Sequence, residues 1–307
     1  GAATFNNKVV ATELDISGDV DIDGTLETDA ITLGGSAFIK LEGTNFTGGL
    51  LLGHATTGTL DAATYNTGVG VGALDALTTG DTNVALGYNS LTTNTTGVHN
   101  TAVGSNALKL NLDGHSNAAV GKDSLIANTE GLYNCAIGLD SLKANTTGDS
   151  NTAVGYQALL TNISSNSNTA VGFRALKLAT GASNIGLGRD SGDNITSGDG
   201  NVIIGSIDAG SATGDKQLII ADGVDGSVKW IDGDSSGNLT FGGDITVGDD
   251  LNLTTDSTVI NFGADSDTTL THTDGTGLTL NSTNKICFND TSQFIYGVSN
   301  AILGLGA

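Results

Sequence analysis

Three aspartates near the N-terminus have the spacing with which a calcium-binding loop begins. Asp19, Asp21 and Asp23 stand in the segment DVDIDG, which reads D-x-D-x-D-G. A loop of this kind carries a bidentate glutamate at its twelfth position, and Ala30 occupies that position here. Apolar residues alternate with the aspartates, as in a strand whose carboxylates face solvent. We therefore predict no cofactor, with weak calcium binding by these aspartates or by aspartate-rich turns such as residues 197–201 as the alternative.

The other residue types that perform chemistry are scattered along the sequence. The histidines show no ligand spacing and the cysteines form no C-x-x-C pair, so the sequence indicates neither a zinc site nor a disulfide framework; these residues are His54, His99, His115, His272, Cys135 and Cys287. We find no Ser/His/Asp set and no phosphate-binding loop. Enzymes that cut polysaccharides use paired carboxylates in a cleft, and the short, uniform segments of this chain provide no insertion to build one. We therefore predict that the protein is not an enzyme.

Charge narrows the possible partners. The 307 residues include 33 acidic and 11 basic side chains, giving a net charge of −22. Nucleic acids and anionic lipid surfaces attract Lys and Arg, so neither is an expected partner. Because no apolar stretch reaches the 18 to 20 or so residues that span a membrane, we also predict no membrane insertion.

The elements that position these residues follow a repeat. A glycine recurs every 17 residues, with one spacing of 16, at Gly53, Gly70, Gly87, Gly104, Gly121, Gly138, Gly155, Gly172, Gly188 and Gly205. Four residues before almost every one of these glycines stands an asparagine: Asn66, Asn83, Asn100, Asn117, Asn134, Asn151, Asn168, Asn184 and Asn201. Each copy reads N-x-small-aliphatic-G-x-x-A/S-L and then becomes polar and turn-like. A helical repeat would be longer and would contain less Gly and Asn.

One copy is predicted to form one coil of a parallel β-solenoid, with two short strands and two turns. A coil that buries about two large aliphatic side chains gains about 3–6 kcal/mol, whereas ordering 17 residues costs about 25 kcal/mol, so a single coil cannot fold alone. Stacking in register lets neighbouring coils pair their backbones. The leading asparagines should then form a ladder whose amides bond along the axis, and the glycine should supply a backbone conformation that other residues resist.

Two outward positions could carry function. The residue after the glycine varies, and Tyr88, Tyr156 and Phe173 could stack against a sugar or a protein receptor, or could fill grooves between chains. The residue after the asparagine is often Thr, which would suit ice binding. Other residue types interrupt this column too often for ice binding to be the preferred interpretation. Because the coil is thin, we expect several chains to pack side by side, most simply three.

The flanks are expected to differ from the repeat. Residues 14–27 and 237–254 alternate apolar and polar residues with an overlying period of six, which is typical of short strands. We predict β-strand shaft segments at residues 1–48 and 222–307 around a solenoid at residues 49–221. The fold class is therefore all-β, a parallel β-solenoid with 17-residue coils and flanking shafts in an intertwined homotrimer.

The NTAVG-x-x-AL units resemble the tandem repeats of phage tail fibres and fibre-like surface proteins. They are also similar to the N-S-V-A-I-G repeat in the β-roll heads of trimeric autotransporter adhesins, although those coils are shorter. The resemblance implies a structural and adhesive fibre on a virion, trimeric with itself and attaching to a host cell-surface glycan or protein. The alternatives are a bacterial trimeric surface adhesin outside the cell and, with less support, a polysaccharide-degrading tail spike or an ice-binding solenoid.

Overall fold

The computed structural model describes residues 30–33, 36–40, 46–47, 49–52, 62–243, 245–247, 285–287 and 294–296. All of these residues are strand, turn or irregular structure, and none is helical. By its contacts the chain divides into a unit at residues 1–245 and a second unit at residues 246–307. The expectations for Asp19, Asp21 and Asp23, for most of both shaft segments and for Gly53, His54 and His272 lie outside the described residues.

Short strands follow one another at the spacing of the repeat. After β1 (Ala30–Leu33), β2 (Ser36–Lys40), β3 (Phe46–Thr47), β4 (Leu50–Leu52) and β5 (Ala63–Thr64), nine strands have three residues each. They are β6 (Thr67–Val69), β7 (Val84–Leu86), β8 (Thr101–Val103), β9 (Ala118–Val120), β10 (Cys135–Ile137), β11 (Thr152–Val154), β12 (Thr169–Val171), β13 (Ile185–Leu187) and β14 (Val202–Ile204). The first unit continues with β15 (Leu218–Ala221), β16 (Lys229–Gly233) and β17 (Leu239–Phe241). In the second unit, β18 (Lys285–Cys287) pairs antiparallel with β19 (Phe294–Tyr296).

The repeat forms a parallel β-solenoid. β4, β6 to β14 and β15 pair in parallel, each with the next, and equivalent residues of successive copies stand opposite one another. Ala102 pairs with Ala119, for example, and the register holds across the one-residue-shorter copy, where Thr169 pairs with Ile185. About ten turns are stacked in this way. The predicted parallel solenoid of 17-residue coils is confirmed.

The prediction of two strands per coil is wrong, because each regular coil contains one. The glycine after the strand has a φ between +115° and +139° in the nine copies from Gly70 to Gly205, a conformation that favours glycine. Two further residues then take left-handed backbone, as Asn89 (φ 54°) and Leu91 (φ 49°) do in the coil that begins at Asn83. Alternation of left-handed and ordinary residues curls this part of the chain into turns, so it cannot extend into a second strand.

The prediction that each coil buries about two large aliphatic side chains is also wrong. In a strand the side chains alternate between faces, and here the small middle residue points inward while its aliphatic neighbour points outward. The core therefore takes one leucine column from the regular coils, Leu74, Leu91, Leu108, Leu125, Leu142, Leu159 and Leu176, all fully buried, and only the coil that begins at Asn66 adds a second leucine, Leu77. Columns of alanine, serine and asparagine complete the interior.

Antiparallel strands border the parallel stack at both ends. β2 pairs antiparallel with β4 and with β1 at the start of the array. At the other end β15 pairs antiparallel with β16, which pairs with β17. Both outer strands of the parallel stack, β4 and β15, therefore already have a neighbour from the same chain, and the edge strands of the described sheet are β1 and β17.

Candidate functional site

The leading asparagines form a continuous buried column. From Asn66 to Asn201, each side-chain Oδ1 accepts a hydrogen bond of 2.9–3.0 Å from the backbone N–H of the next column member, ending at Gln217. From Asn66 to Asn184, each Nδ2 donates across its own coil to a backbone carbonyl at 2.7–2.9 Å. Direct amide-to-amide bonds along the axis occur only at some steps, such as 3.1 Å from Asn83 to Asn66. These side chains join neighbouring coils, so they are structural.

A second asparagine column, which the sequence analysis missed, lies inside the coil. Its Nδ2 groups donate to the Oδ1 of the preceding member at 2.7–2.9 Å; the members are Asn94, Asn111, Asn128, Asn145 and Asn162. The column ends where the next coil has Ala179, and Asn162 Oδ1 is consequently buried without a partner. The sequence signal was available, because the same 17-residue spacing separates these asparagines.

The scattered reactive residues are not brought together within the described part of the chain. Cys135 lies on β10 and is half-buried, and His99 lies exposed in a turn. His115 Nδ1 accepts the Val98 N–H at 3.1 Å, and Asp199 Oδ1, in one of the aspartate-rich turns, accepts the Ala182 N–H. The described residues contain no group of three or more metal-ligating side chains, and no helix there could cross a membrane.

One continuous surface of the solenoid is the outward strand face, which we define as the first and third residues of β6 to β14. The first residues are Thr67, Val84, Thr101, Ala118, Cys135, Thr152, Thr169, Ile185 and Val202. The third residues are Val69, Leu86, Val103, Val120, Ile137, Val154, Val171, Leu187 and Ile204. None of these side chains is buried and none is charged, so an uncharged, mainly aliphatic strip about 40 Å long follows the axis at the strand spacing of about 4.8 Å.

The three aromatic residues predicted to face a receptor occupy one column beside this face. All three are exposed, Tyr88 at 57%, Tyr156 at 38% and Phe173 at 45%. The structure brings only two of them together: the rings of Tyr156 and Phe173 stack at a centroid distance of 5.2 Å and an interplanar angle of 21°. Tyr88 stands between Val71 and Ser105 in its column and has no aromatic neighbour there.

A cleft opens where the regular coils end. We call it the end cleft; it has a volume of about 470 Å³ and is lined by Arg174, Asp190, Asp193, Ser206, Ile207, Asp208 and Asp225. Arg174 Nη2 lies 2.8 Å from Asp193 Oδ2, and Arg174 Nε lies 3.4 Å from Asp190 Oδ1. The repeat is irregular here, since the coil that begins at Asn201 has Ala209 where the regular coils carry leucine. Sequence reasoning had no signal for it beyond that irregular coil.

Electrostatics in the end cleft are dominated by carboxylates. Burial raises the pKa of the Asp193 carboxyl, and its hydrogen bond with the Asp208 side chain and the nearby charges of Asp208 and Asp190 raise it further. The positive charge of Arg174 acts in the opposite direction. Burial and the neighbouring carboxylates therefore disfavour the charged form of Asp193.

Comparison of the chain with known proteins identified no similar protein. No protein-family model, curated protein or solved structure matches the chain. A solenoid fold can serve structural and enzymatic proteins alike. The function is therefore argued from the surfaces of this solenoid alone.

Proposed function

We propose that this chain is a structural and adhesive fibre protein, a homotrimer whose solenoid forms a rigid segment of a phage tail fibre used in host attachment. The proposal rests on one observation: the outward strand face contains no charged residue over nine successive coils. Its remaining support is the resemblance of the repeat to fibre proteins. In this role the solenoid holds other parts of the fibre at a fixed distance and presents a repeating surface.

The absence of charge has a physical consequence for assembly. Two chains that each carry a net charge of −22 repel one another. Contact is least unfavourable through a surface without charge, where burial of aliphatic groups gains about 25 cal/mol per Å². Because every coil presents this face at the same angle, copies that pack side by side in register bury the whole strip.

The buried side chains indicate a mechanical role. The buried polar side chains of the described solenoid include the two asparagine columns, which hydrogen-bond one coil to another or close a single coil. Such bonds resist bending and separation of coils, because each break would leave a buried polar atom unpaired. This arrangement suits a spacer.

Native mass and a substitution on the face test the assembly. The chain of 30.6 kDa should have about three times that mass in native mass spectrometry. Replacing Ile137, which is 42% exposed on the outward strand face, by Asp should shift the protein to the monomer mass, because a charge would be buried in the contact. Ile163→Asp is the matched control, since Ile163 is also exposed but lies outside the face. A monomeric wild-type protein at every concentration would contradict the proposal.

Electron microscopy with gold-labelled antibodies tests the location. Labelling of phage tail fibres is the expected result. Labelling of a bacterial surface would favour the surface adhesin instead, and labelling of neither would refute both fibre assignments.

A further inference from the structure

The stacked rings of Tyr156 and Phe173 form a partly exposed aromatic platform. The two rings lie in successive coils, one ring in each, and the stacking of these coils sets their centroid distance of 5.2 Å. Each ring covers one face of the other, so the outer ring face and the exposed ring edges remain for a ligand. The face of an aromatic ring is negative and attracts C–H groups that carry partial positive charge, such as those on the apolar face of a six-membered sugar ring.

Arg174 connects the platform to the end cleft. Its Cζ lies 5.9 Å from the centre of the Phe173 ring, while Nη2 is held by Asp193 at 2.8 Å. Nε of Arg174 and Oδ1 of Asp190 have no hydrogen-bond partner, although they approach to 3.4 Å. A guanidinium and carboxylates fixed in this way offer donors and acceptors to neighbouring hydroxyl groups.

The size of the end cleft suits a small polar ligand. Its volume of about 470 Å³ lies in the range of small-molecule sites, about 300–1,000 Å³. Polar side chains line most of it, and Ile207 provides an apolar contact. An aromatic platform beside a polar cleft matches a molecule with one apolar face and a rim of hydroxyl groups.

Charge in the end cleft restricts the class of ligand. Four aspartates and one arginine line the cleft, and Arg189 pairs with Asp190 at 3.1 Å from outside the lining, so the carboxylates outnumber the cations and the cleft is negative. A ligand carboxylate or sulfate would be repelled, whereas an amino group would be attracted.

From these contacts we propose that the platform and the end cleft together bind a saccharide that carries no acidic group, either neutral or amino-bearing. The inference rests on the proposed function, because it names the class of surface molecule that the fibre contacts. It assigns binding to Tyr156 and Phe173, which stack beside Arg174, and excludes Tyr88, which has no stacked partner and lies five coils away from Arg174.

Isothermal titration of the whole chain with three defined oligosaccharides tests the proposal. The probes are glucosamine oligomers, mannose oligomers and galacturonic acid oligomers, which are amino-bearing, neutral and acidic. We expect one or both of the first two to bind and the acidic probe not to bind. Equal binding of the acidic probe, or no binding of any probe, would overturn the proposal.

Variants of the aromatic column locate the site. Phe173→Leu keeps an apolar side chain of similar bulk but removes the ring, so we expect at least about a tenfold loss of affinity, which equals about 1.4 kcal/mol. Tyr156→Ala should have a similar effect, and Tyr88→Ala, the matched control, should have none. Equal losses in all three variants would show that binding is not at this site.

Native mass measured on the same samples separates the two proposals. A trimer that binds none of the probes contradicts only the saccharide site. A monomer that binds them contradicts the homotrimer and leaves the saccharide site in place.

Discussion

Replacing an asparagine of the second asparagine column by alanine should lower the free energy of unfolding more in the middle of the column than at its end. Asn128 makes three hydrogen bonds, to Asn111 Oδ1 at 2.7 Å, to the Gly131 carbonyl at 3.1 Å and from Asn145 Nδ2 at 2.9 Å. Asn128→Ala removes all three and leaves Asn111 Oδ1 buried without a partner. A net hydrogen bond contributes about 1 kcal/mol and a newly unpaired buried group costs about 1–3 kcal/mol.

Asn162→Ala is the matched comparison because the same side chain is removed from an equally buried site. Asn162 makes only two bonds, to Asn145 Oδ1 at 2.9 Å and to the Ser165 carbonyl at 3.0 Å. Its own Oδ1 already lacks a partner, so the substitution deletes one unpaired oxygen while creating another at Asn145. The change at Asn128 therefore loses one more bond and gains one more unpaired atom, a difference of about 2–4 kcal/mol.

Urea unfolding at a fixed protein concentration measures this difference. Because repeat arrays can unfold in parts, hydrogen exchange of the coil amides should be measured together with urea unfolding. In Asn128→Ala we expect exchange to be fastest in the coils around residue 128. Equal losses for the two variants, or a larger loss for Asn162→Ala, would refute the reasoning that pairing along the column stabilises the array.

Two further predictions concern the backbone and pH. Gly121→Ala should cost at least about 3 kcal/mol in unfolding free energy, because φ is +135° and an added Cβ would lie 2.5 Å from the Gly138 carbonyl oxygen; Gly223→Ala, in open space, should be neutral, and a similar cost at both sites would contradict the argument. Backbone N–H groups, above all that of Val228, lower the pKa of the Asp222 carboxyl to about 2 from 3.8. Its contribution to the order of the 222–228 loop should therefore be complete above about pH 4 and be lost as the pH falls through about 2; hydrogen exchange of the Val228 amide should show this, and no acid dependence in that window would be the contrary result.

The repeat made the stacking predictable, and its details explain which finer predictions were wrong. Identical spacing of Asn and Gly predicted coils in register, because only that arrangement pairs every backbone. Burial of the strand aliphatics was assigned wrongly, since a three-residue strand can turn inward either its middle residue or its two neighbours. The small size of Ala119 and of the other middle residues could have indicated that the middle residue of each strand points inward.

The number of strands per coil and the end cleft depend on contacts that periodicity does not encode. Leucine at a φ near +50° contradicts its ordinary preference, and it is held there by complete burial, as at Leu108. The cleft arises from residues far apart in sequence, such as Arg174 and Asp225, which approach only because the hairpin after β15 folds back. Spacing alone could not bring them together.

Antiparallel strands border the parallel stack on both sides, so the number of repeats in the gene sets the length of the stack. Because β2 and β16 of the same chain occupy the outer sides of β4 and β15, the parallel array itself lengthens or shortens by duplication or loss of whole 17-codon units. Each such event would move whatever lies beyond it by one step of about 4.8 Å, so reach could be tuned through recombination without redesign of any contact.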